Sequence, residues 1–254
     1  MKKVIIISGG AKGIGLDIST KLIDKGFFLL ILGRSKENSI IFPKGLFVKS
    51  ENYFYLECDI SISNDRKKVI DYLRKNNIKL FSIINNASIN PKPRKDILEC
   101  SEDSFNNIFS NNLRGPFFLT QELVNYMISS KNLKSINYII NISSISSFVV
   151  SNDRAEYCMS KAALSMSSKL WAARLGQYGF QVFDLQPGII KKNLNDEESY
   201  STFDHKSENE LSVMKRWGLK SDISKLIISI LNGGLPYVTG SSITVDGGMS
   251  IKRL

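Results

Sequence analysis

The stretch Val4-Ile5-Ile6-Ile7-Ser8-Gly9-Gly10-Ala11-Lys12-Gly13-Ile14-Gly15 decides how this 254-residue chain folds. Val4 to Ile7 is an unbroken apolar run ending in turn residues, the pattern of a strand buried on both faces. The glycine-rich turn leads into an amphipathic helix through about Lys25, with Leu16, Ile18, Leu22 and Ile23 turned inward. Strand, glycine turn and helix form an anion cradle, because backbone N–H groups and the positive helix end face the same point. Glycines are needed where a pyrophosphate must approach the main chain. A plain tight turn is the alternative, and the flanking strand and helix favour the cradle.

Outward from this unit, strand and helix patterns alternate to the end of the chain. Phe28 to Leu32 reads as a second strand, closed by Gly33-Arg34-Ser35. In dinucleotide folds an acid near this strand end holds a ribose 2′-hydroxyl, whereas an arginine accommodates a 2′-phosphate. The acid is absent, and Arg34, helped by Lys12, can pair with a phosphate. NADP(H) is therefore favoured over NAD(H). Lys36 to Asn52 is poorly patterned, contains Pro43 and Gly45, and predicts an irregular crossover. Strands are expected over Tyr53–Glu57, Leu80–Ile84, Ile136–Ile142, Gln181–Leu185 and Ser242–Val245. Helices are expected over Arg66–Asn76, from Ser101 to about Ser130 with a bend at Asn112-Leu113-Arg114-Gly115, and over Ser221–Leu231. Ser101 has Glu102 and Asp103 behind it, favourable in a first turn. Ile189 to Trp217, which contains His205, is polar and irregular, with one or two helices expected. The alternation implies one parallel sheet covered on both faces: a doubly wound α/β fold of about seven strands in a single domain, 1–254.

Composition sets outer limits. At 43% hydrophobic the chain can bury a full core, and it is short enough for one domain. No apolar run approaches the ~18 residues of a membrane span. The start, Met1 to Gly10, has too brief an apolar run for a signal sequence and reads instead as the first strand. Cys58, Cys100 and Cys158 are odd in number and widely spaced, and with His205 as the one histidine no metal constellation is expected. A reducing, cytoplasmic setting follows. The formal charge of +10 comes from scattered lysines without a basic run. It reads as a solvated basic surface that helps attract an anionic cofactor or carrier protein, not as a nucleic-acid site.

Tyr157-Cys158-Met159-Ser160-Lys161 carries the chemistry. A Tyr and a Lys four apart on a helix share one face. The ammonium beside the phenol is expected to lower the tyrosine pKa from its reference of about 10. A phenol tuned in that way can give a proton to a ketone oxygen or take one from an alcohol. Such pairs also occur on ordinary solvated helix faces, so the rest of the chain must support the reading.

Together and in this order, the glycine turn, Asn85-Asn86-Ala87, Asn112-Leu113-Arg114-Gly115, the strand-end serines, Tyr-x-x-x-Lys and Asp246-Gly247-Gly248 resemble the short-chain dehydrogenase/reductase family. The likeness runs nearly end to end. Within the family it is nearest to 3-oxoacyl-[acyl-carrier-protein] reductase-like members, through Val238-Thr239-Gly240, Val245 to Gly248 and Ala155 to Cys158. The resemblance implies a Rossmann fold and a nicotinamide cofactor. It makes Tyr157 the general acid/base and has Lys161 tune it while binding the nicotinamide ribose. Ser144, preferred to Ser143 by register, would hydrogen-bond the substrate oxygen. Asn112, preferred to Asn111, would hold a water beside Lys161. Cofactor contacts would come from Gly9, Lys12, Gly13, Ile14, Gly15, Arg34 and Ser35, from Asp59 and Ile60 at the adenine, and from Asn86 and Ala87 at the adjoining ribose. Pro187 would join them, with Ile190 at the carboxamide.

Two departures stand out. Ser88 follows the asparagine motif where glycine is usual, which is expected to narrow the cofactor channel slightly. Lys191 and Lys192 stand near the place of a threonine that would fix the carboxamide. The implied activity is NADPH-dependent reduction of a ketone, free or carrier-protein-bound, to a secondary alcohol. The rivals are a sugar, polyol or hydroxysteroid dehydrogenase running the other way, and a non-catalytic cofactor sensor. The segment near 189–217 would lid the substrate site. Likeness also implies a homo-oligomer, a tetramer or dimer, through helices near 101–130 and 155–177, with the apolar tail Met249 to Leu254 available to pack at an interface.

Overall fold

The apolar runs become seven strands in a computed structural model, which describes residues 3–36, 52–130, 133, 136–191 and 212–252. They are β1 (Val4–Ser8), β2 (Phe28–Gly33), β3 (Tyr53–Glu57), β4 (Leu80–Asn85), β5 (Asn137–Ile142), β6 (Phe180–Pro187) and β7 (Ser241–Val245). Every neighbouring pair is parallel, and the order across the sheet is β3-β2-β1-β4-β5-β6-β7. The order reverses between β1 and β4, so a crevice opens there at the carboxyl ends of the strands.

Strand side chains alternate between two helical layers. Ile5 and Ile7 pack with Ile18 and Leu22 of α1 (Gly13–Asp24) and with Ile223 and Ile227 of α6 (Lys220–Leu231). Val4 and Ile6 pack on the opposite face with Val69 of α2 (Ser63–Lys75) and Leu119 and Leu123 of α4 (Gly115–Ser129). The long α5 (Ala155–Leu175) completes that second layer with Ala172 and Leu175. This is the doubly wound α/β architecture expected. No helix among the described residues is long and apolar enough to cross a membrane.

Two local differences have physical causes. The helix expected from Arg66 starts at Ser63, because Asp65 belongs to its first turn and accepts the Asp59 N–H at 3.0 Å. The helix expected from Ser101 to Ser130 is divided into α3 (Glu102–Phe109), a π turn at Ser110–Arg114, and α4. Pro116 has no N–H to offer the Asn112 carbonyl four residues back, and the Gly115 N–H reaches back to Ser110 instead. A Cβ on Gly115 would press on the Ile60 side chain at 3.0 Å and its main chain at 3.1 Å, so this bend brings α4 against the loop after β3. The irregular crossover expected over Lys36 to Asn52, and most of the lid expected near 189–217 with His205, lie outside the described residues.

Phe183 on β6 is fully buried between the sheet and the α6 side. Phe183→Ala is expected to lower stability by about 3–5 kcal/mol, read from urea unfolding. A loss below ~1 kcal/mol would contradict this packing.

Candidate active site

The carboxyl ends of β1, β2, β4, β5 and β6 open onto one cavity of about 1060 Å³. That exceeds the usual volume of a drug-sized pocket and suits a dinucleotide together with a second molecule. Its floor is the glycine turn. A Cβ on Gly15 would run into the Gly9 carbonyl oxygen, so only glycine lets α1 begin this close to β1. Gly9, Lys12, Gly13, Ile14 and Gly15 all line the cavity. Asn86 ties this turn to β4, donating to the Ser8 and Gly9 carbonyls at 3.1 Å each. The Ser8 hydroxyl in turn accepts the Asn86 and Ala87 N–H groups at 3.2 and 3.1 Å.

At one end of the cavity Arg34 is exposed, and Lys12 Nζ donates to Ser35 Oγ at 3.3 Å. Asp59 and Ile60 line the neighbouring wall, with Asp59 Oδ1 engaged by the Ser61 N–H and hydroxyl at 2.9 and 2.7 Å. Asn86, Ala87, Pro187 and Ile190 border the middle. Lys191 also faces the cavity, its N–H bonded to the Gly218 carbonyl at 2.9 Å.

Ser144, Tyr157 and Lys161 meet at the other end. Glu156, buried in the first turn of α5, accepts from Ser104 Oγ at 2.6 Å and fixes this end of α5 against α3. Ser143 and Ser144 are separated by their bonds. The buried Ser143 hydroxyl donates to the Leu185 carbonyl at 3.3 Å, whereas the Ser144 hydroxyl, on the cavity wall, accepts the Ser146 N–H at 3.1 Å. Asn112 is the one expected site residue that does not border the cavity. It is fully buried, and its amide clamps Ile89, accepting from the N–H at 2.8 Å and donating to the carbonyl at 2.9 Å. Asn111 does line the cavity, with its amide turned back to Asn107.

Burial governs the two ionisable groups. Lys161 is 2% exposed, donates to the Ile142 carbonyl at 3.0 Å, and lies 5.6 Å from the Tyr157 ring centroid. Loss of hydration pulls its pKa from 10.5 to about 8, with the negative charge of Asp184 resisting. Burial pushes the Tyr157 phenol above its ordinary value, while the Arg154 guanidinium and hydrogen bonds with Ser144 and Ser88 pull it back. This corrects the expectation that the lysine draws the phenol downward. Lys161 gives one N–H to a main-chain carbonyl, and the charge that does most to pull the phenol down is Arg154, 5.3 Å from the ring centroid.

Arg154 is the residue that the sequence reading missed in this role. Arg154 stands three positions before Tyr157 at the start of α5, a spacing that was a legible signal. Ser88, expected to narrow the cofactor channel slightly, is exposed and lines the cavity. The exposed run Phe148-Val149-Val150 adds an apolar rim beside this end of α5, where Cys158 Sγ lies 4.0 Å from the Val149 carbonyl oxygen.

Comparison with known proteins agrees with this geometry. A family profile described as "Enoyl-(Acyl carrier protein) reductase" matches residues 9–250. A 3-oxoacyl-[acyl-carrier protein] reductase from Brucella melitensis, solved in complex with NAD, is 31% identical, with a TM-score of 0.91 over 100% of this chain and 99% of that one. The L-rhamnose 1-dehydrogenase (NADP(+)) of Thermoplasma acidophilum is 29% identical over 98% of this chain and 97% of its own length. The sorbitol-6-phosphate 2-dehydrogenase of Klebsiella pneumoniae is 25% identical over 96% and 95%.

The buried ammonium predicts a pH signature in stability. The folded pKa of about 8 lies below the ordinary 10.5. Below pH 8 the fold carries the whole burden of the buried charge. Between 8 and 10.5 the unfolded chain binds the extra proton, so stability rises with pH. Lys161→Met is therefore expected to raise the melting temperature most near pH 7 and progressively less towards pH 10.5. An increment independent of pH would contradict burial of a charged amine.

Proposed function

This chain belongs to the short-chain dehydrogenase/reductase family, and from that premise we propose that it reduces a ketone to a secondary alcohol with NADPH, on a 3-oxoacyl-like substrate. The family comprises oxidoreductases of CH–OH and C=O groups that bind NAD(P). The observation carrying the reading is the meeting of Tyr157, Ser144 and Lys161 on one wall of a cavity whose opposite end holds Lys12 and Arg34.

The residues fit the cofactor. Gly15 leaves the main chain open where a Cβ would block it, and the α1 N-terminus offers N–H donors to a pyrophosphate. Arg34 and Lys12, with no acid at the end of β2, suit a 2′-phosphate. The Brucella relative is solved with NAD and the Thermoplasma relative is named for NADP(+), so the family accepts either and the choice rests on these side chains. Asp59 and Ile60 would flank the adenine, Asn86 and Ala87 the adjoining ribose, and Pro187 and Ile190 the carboxamide.

When bound, reduced nicotinamide supplies a hydride for the carbonyl carbon. Tyr157 gives its phenolic proton to the carbonyl oxygen, and the Ser144 hydroxyl donates to the same oxygen as negative charge gathers there. Lys161 holds the nicotinamide ribose and returns a proton to Tyr157. The Asn112 amide is committed to Ile89, so a water beside Lys161 falls to the Asn112 carbonyl, which Pro116 cannot bond.

The exposed apolar run Phe148-Val149-Val150, beside the start of α5 and outside the cavity lining, supports an acyl substrate over a polyol. The sugar-dehydrogenase reading keeps its support from the named functions of two relatives. Exposed Met159, Met166 and Leu170 on α5, with Phe105 and Phe118 on α3 and α4, support a homo-oligomer through these helices.

A panel of 3-oxoacyl thioesters, keto sugars and their alcohols, run with NADPH and NADH, tests the reading. Turnover only on sugars would move the assignment to the dehydrogenase reading, and saturable cofactor binding with no turnover at all would point to a sensor. On the best substrate, Tyr157→Phe should lower kcat by about 10³-fold while NADPH affinity is kept; near-normal turnover would remove Tyr157 from the mechanism. Arg34→Asp should shift the kcat/KM ratio from NADPH towards NADH by at least roughly tenfold, and an unchanged ratio would dissociate Arg34 from the 2′-phosphate.

A further inference from the structure

The turn that carries Arg34 is held from the neighbouring strand. Tyr55 of β3 stands opposite Ile31 of β2 in the parallel register, and Glu57 opposite Gly33. Ile31, Gly33 and Tyr55 therefore share one face of the sheet. There the half-buried Tyr55 ring packs against the core that contains Ile31 and Ile18. Its hydroxyl reaches past Gly33 and donates to the Ser35 main-chain carbonyl at 2.6 Å. Gly33 makes that path possible. A Cβ there would meet the Tyr55 hydroxyl oxygen at 2.6 Å and the ring at 3.2 and 3.3 Å. Gly33 is not among the glycines with positive φ, so the position uses the space that glycine leaves and not its backbone freedom. On the other side, the Ser35 hydroxyl accepts from Lys12 Nζ at 3.3 Å, and Lys12 caps the start of α1. Arg34 thus lies between two residues that touch Tyr55, in a turn tied to both β3 and α1.

We propose that Tyr55 is a positioning residue for cofactor choice: its hydroxyl fixes the Gly33-Arg34-Ser35 turn in the form that meets a ribose 2′-phosphate, and Gly33 is small to admit that hydroxyl. This role presupposes the 2′-phosphate pairing proposed above for Arg34 and Lys12. An exposed arginine gives up conformational freedom when it grips a phosphate. A turn already held at Ser35 has less freedom left to lose, so more of the ion-pair energy appears as affinity. The 2′-hydroxyl of NAD(H) makes no such demand on the turn. Any contact of the Tyr55 ring with the adenosine that both cofactors share affects them alike, whereas the bond to Ser35 acts on NADP(H) alone.

The test needs no substrate. Fluorescence titration of the whole chain with NADPH and with NADH reads the ratio of the two dissociation constants. Tyr55→Phe, which keeps the ring and removes the bond, is expected to lower the preference for NADPH by about three- to tenfold. Gly33→Ala displaces the hydroxyl from Ser35 by a different route and should lower the preference by a similar factor. The two changes combined should do little more than either alone, because both break one contact. A ratio unchanged in Tyr55→Phe, with both cofactors bound as before or weakened equally, would overturn the proposal. Arg34→Ala separates this role from the 2′-phosphate pairing itself. A preference lost in Arg34→Ala but intact in Tyr55→Phe leaves the pairing standing and removes Tyr55 from it. A wild-type chain with no preference for NADPH, unaltered in Arg34→Ala, overturns both.

Discussion

A charged amine buried to 2% exposure is the constraint around which this fold is arranged. An unpaired ammonium in an apolar interior is destabilising by several kcal/mol, so its surroundings must supply both an acceptor and a counter-charge. The acceptor is the carbonyl of Ile142, the last residue of β5. The counter-charge is Asp184 on β6, itself fully buried. One turn beyond Lys161, Ser165 donates to Asp184 Oδ2 at 2.6 Å, and Ser242 of β7 and Gln186 bind the same oxygen at 2.9 Å each. The helix bearing Lys161 is therefore locked across three strands by polar contacts that water cannot replace.

A second buried network extends the lock toward the middle of the sheet. Asn85 at the end of β4 donates to Asn141 of β5 at 2.7 Å and to Thr120 of α4 at 2.8 Å, and Asn141 donates to Ser168 of α5 at 2.8 Å. Two strands and two helices are pinned just below the points where the chain leaves the sheet. Because all seven strands are parallel, those exits share one edge. The loops carrying Ser88, Ser144 and Ile190 consequently face one space although they are far apart in sequence. The π turn belongs to the same construction, since it presents Asn112 to Ile89 and so fixes the loop that holds Ser88.

The fold was legible because its signals are periodic: apolar runs, glycine turns and an unbroken strand–helix alternation. The ordered motifs also gather at one end of the sheet, where Ser144, Tyr157 and Lys161 line the same cavity. What stayed hidden depends on environment. Spacing shows that Tyr157 and Lys161 share a helix face, but not that the ammonium is committed to Ile142. Asn85 is legible only as part of a motif, and Asn141 and Asp184 carry no signal of their own within their strands; their meaning emerges only when β4, β5 and β6 lie side by side. Asn112 was legible as a special residue, but not as a clamp on Ile89, because nothing in the chain announces that contact across 23 positions.

Burial acts on both members of the Tyr157–Lys161 pair in the same chemical direction. It raises the phenol and lowers the amine, so each is driven towards its neutral form. Two consequences follow for the proposed reaction. A phenol that keeps its proton at neutral pH is ready to protonate a nascent alkoxide, which is far more basic, whereas removing a proton from an alcohol demands the phenolate that burial opposes. An amine with a pKa of about 8 exchanges its proton close to neutrality and can reload the phenol without a large energy gap. The interior that makes Lys161 difficult to bury thus biases the pair towards carbonyl reduction, and the hydroxyls of Ser144 and Ser88 with the Arg154 guanidinium limit how far the phenol is pushed from ionisation.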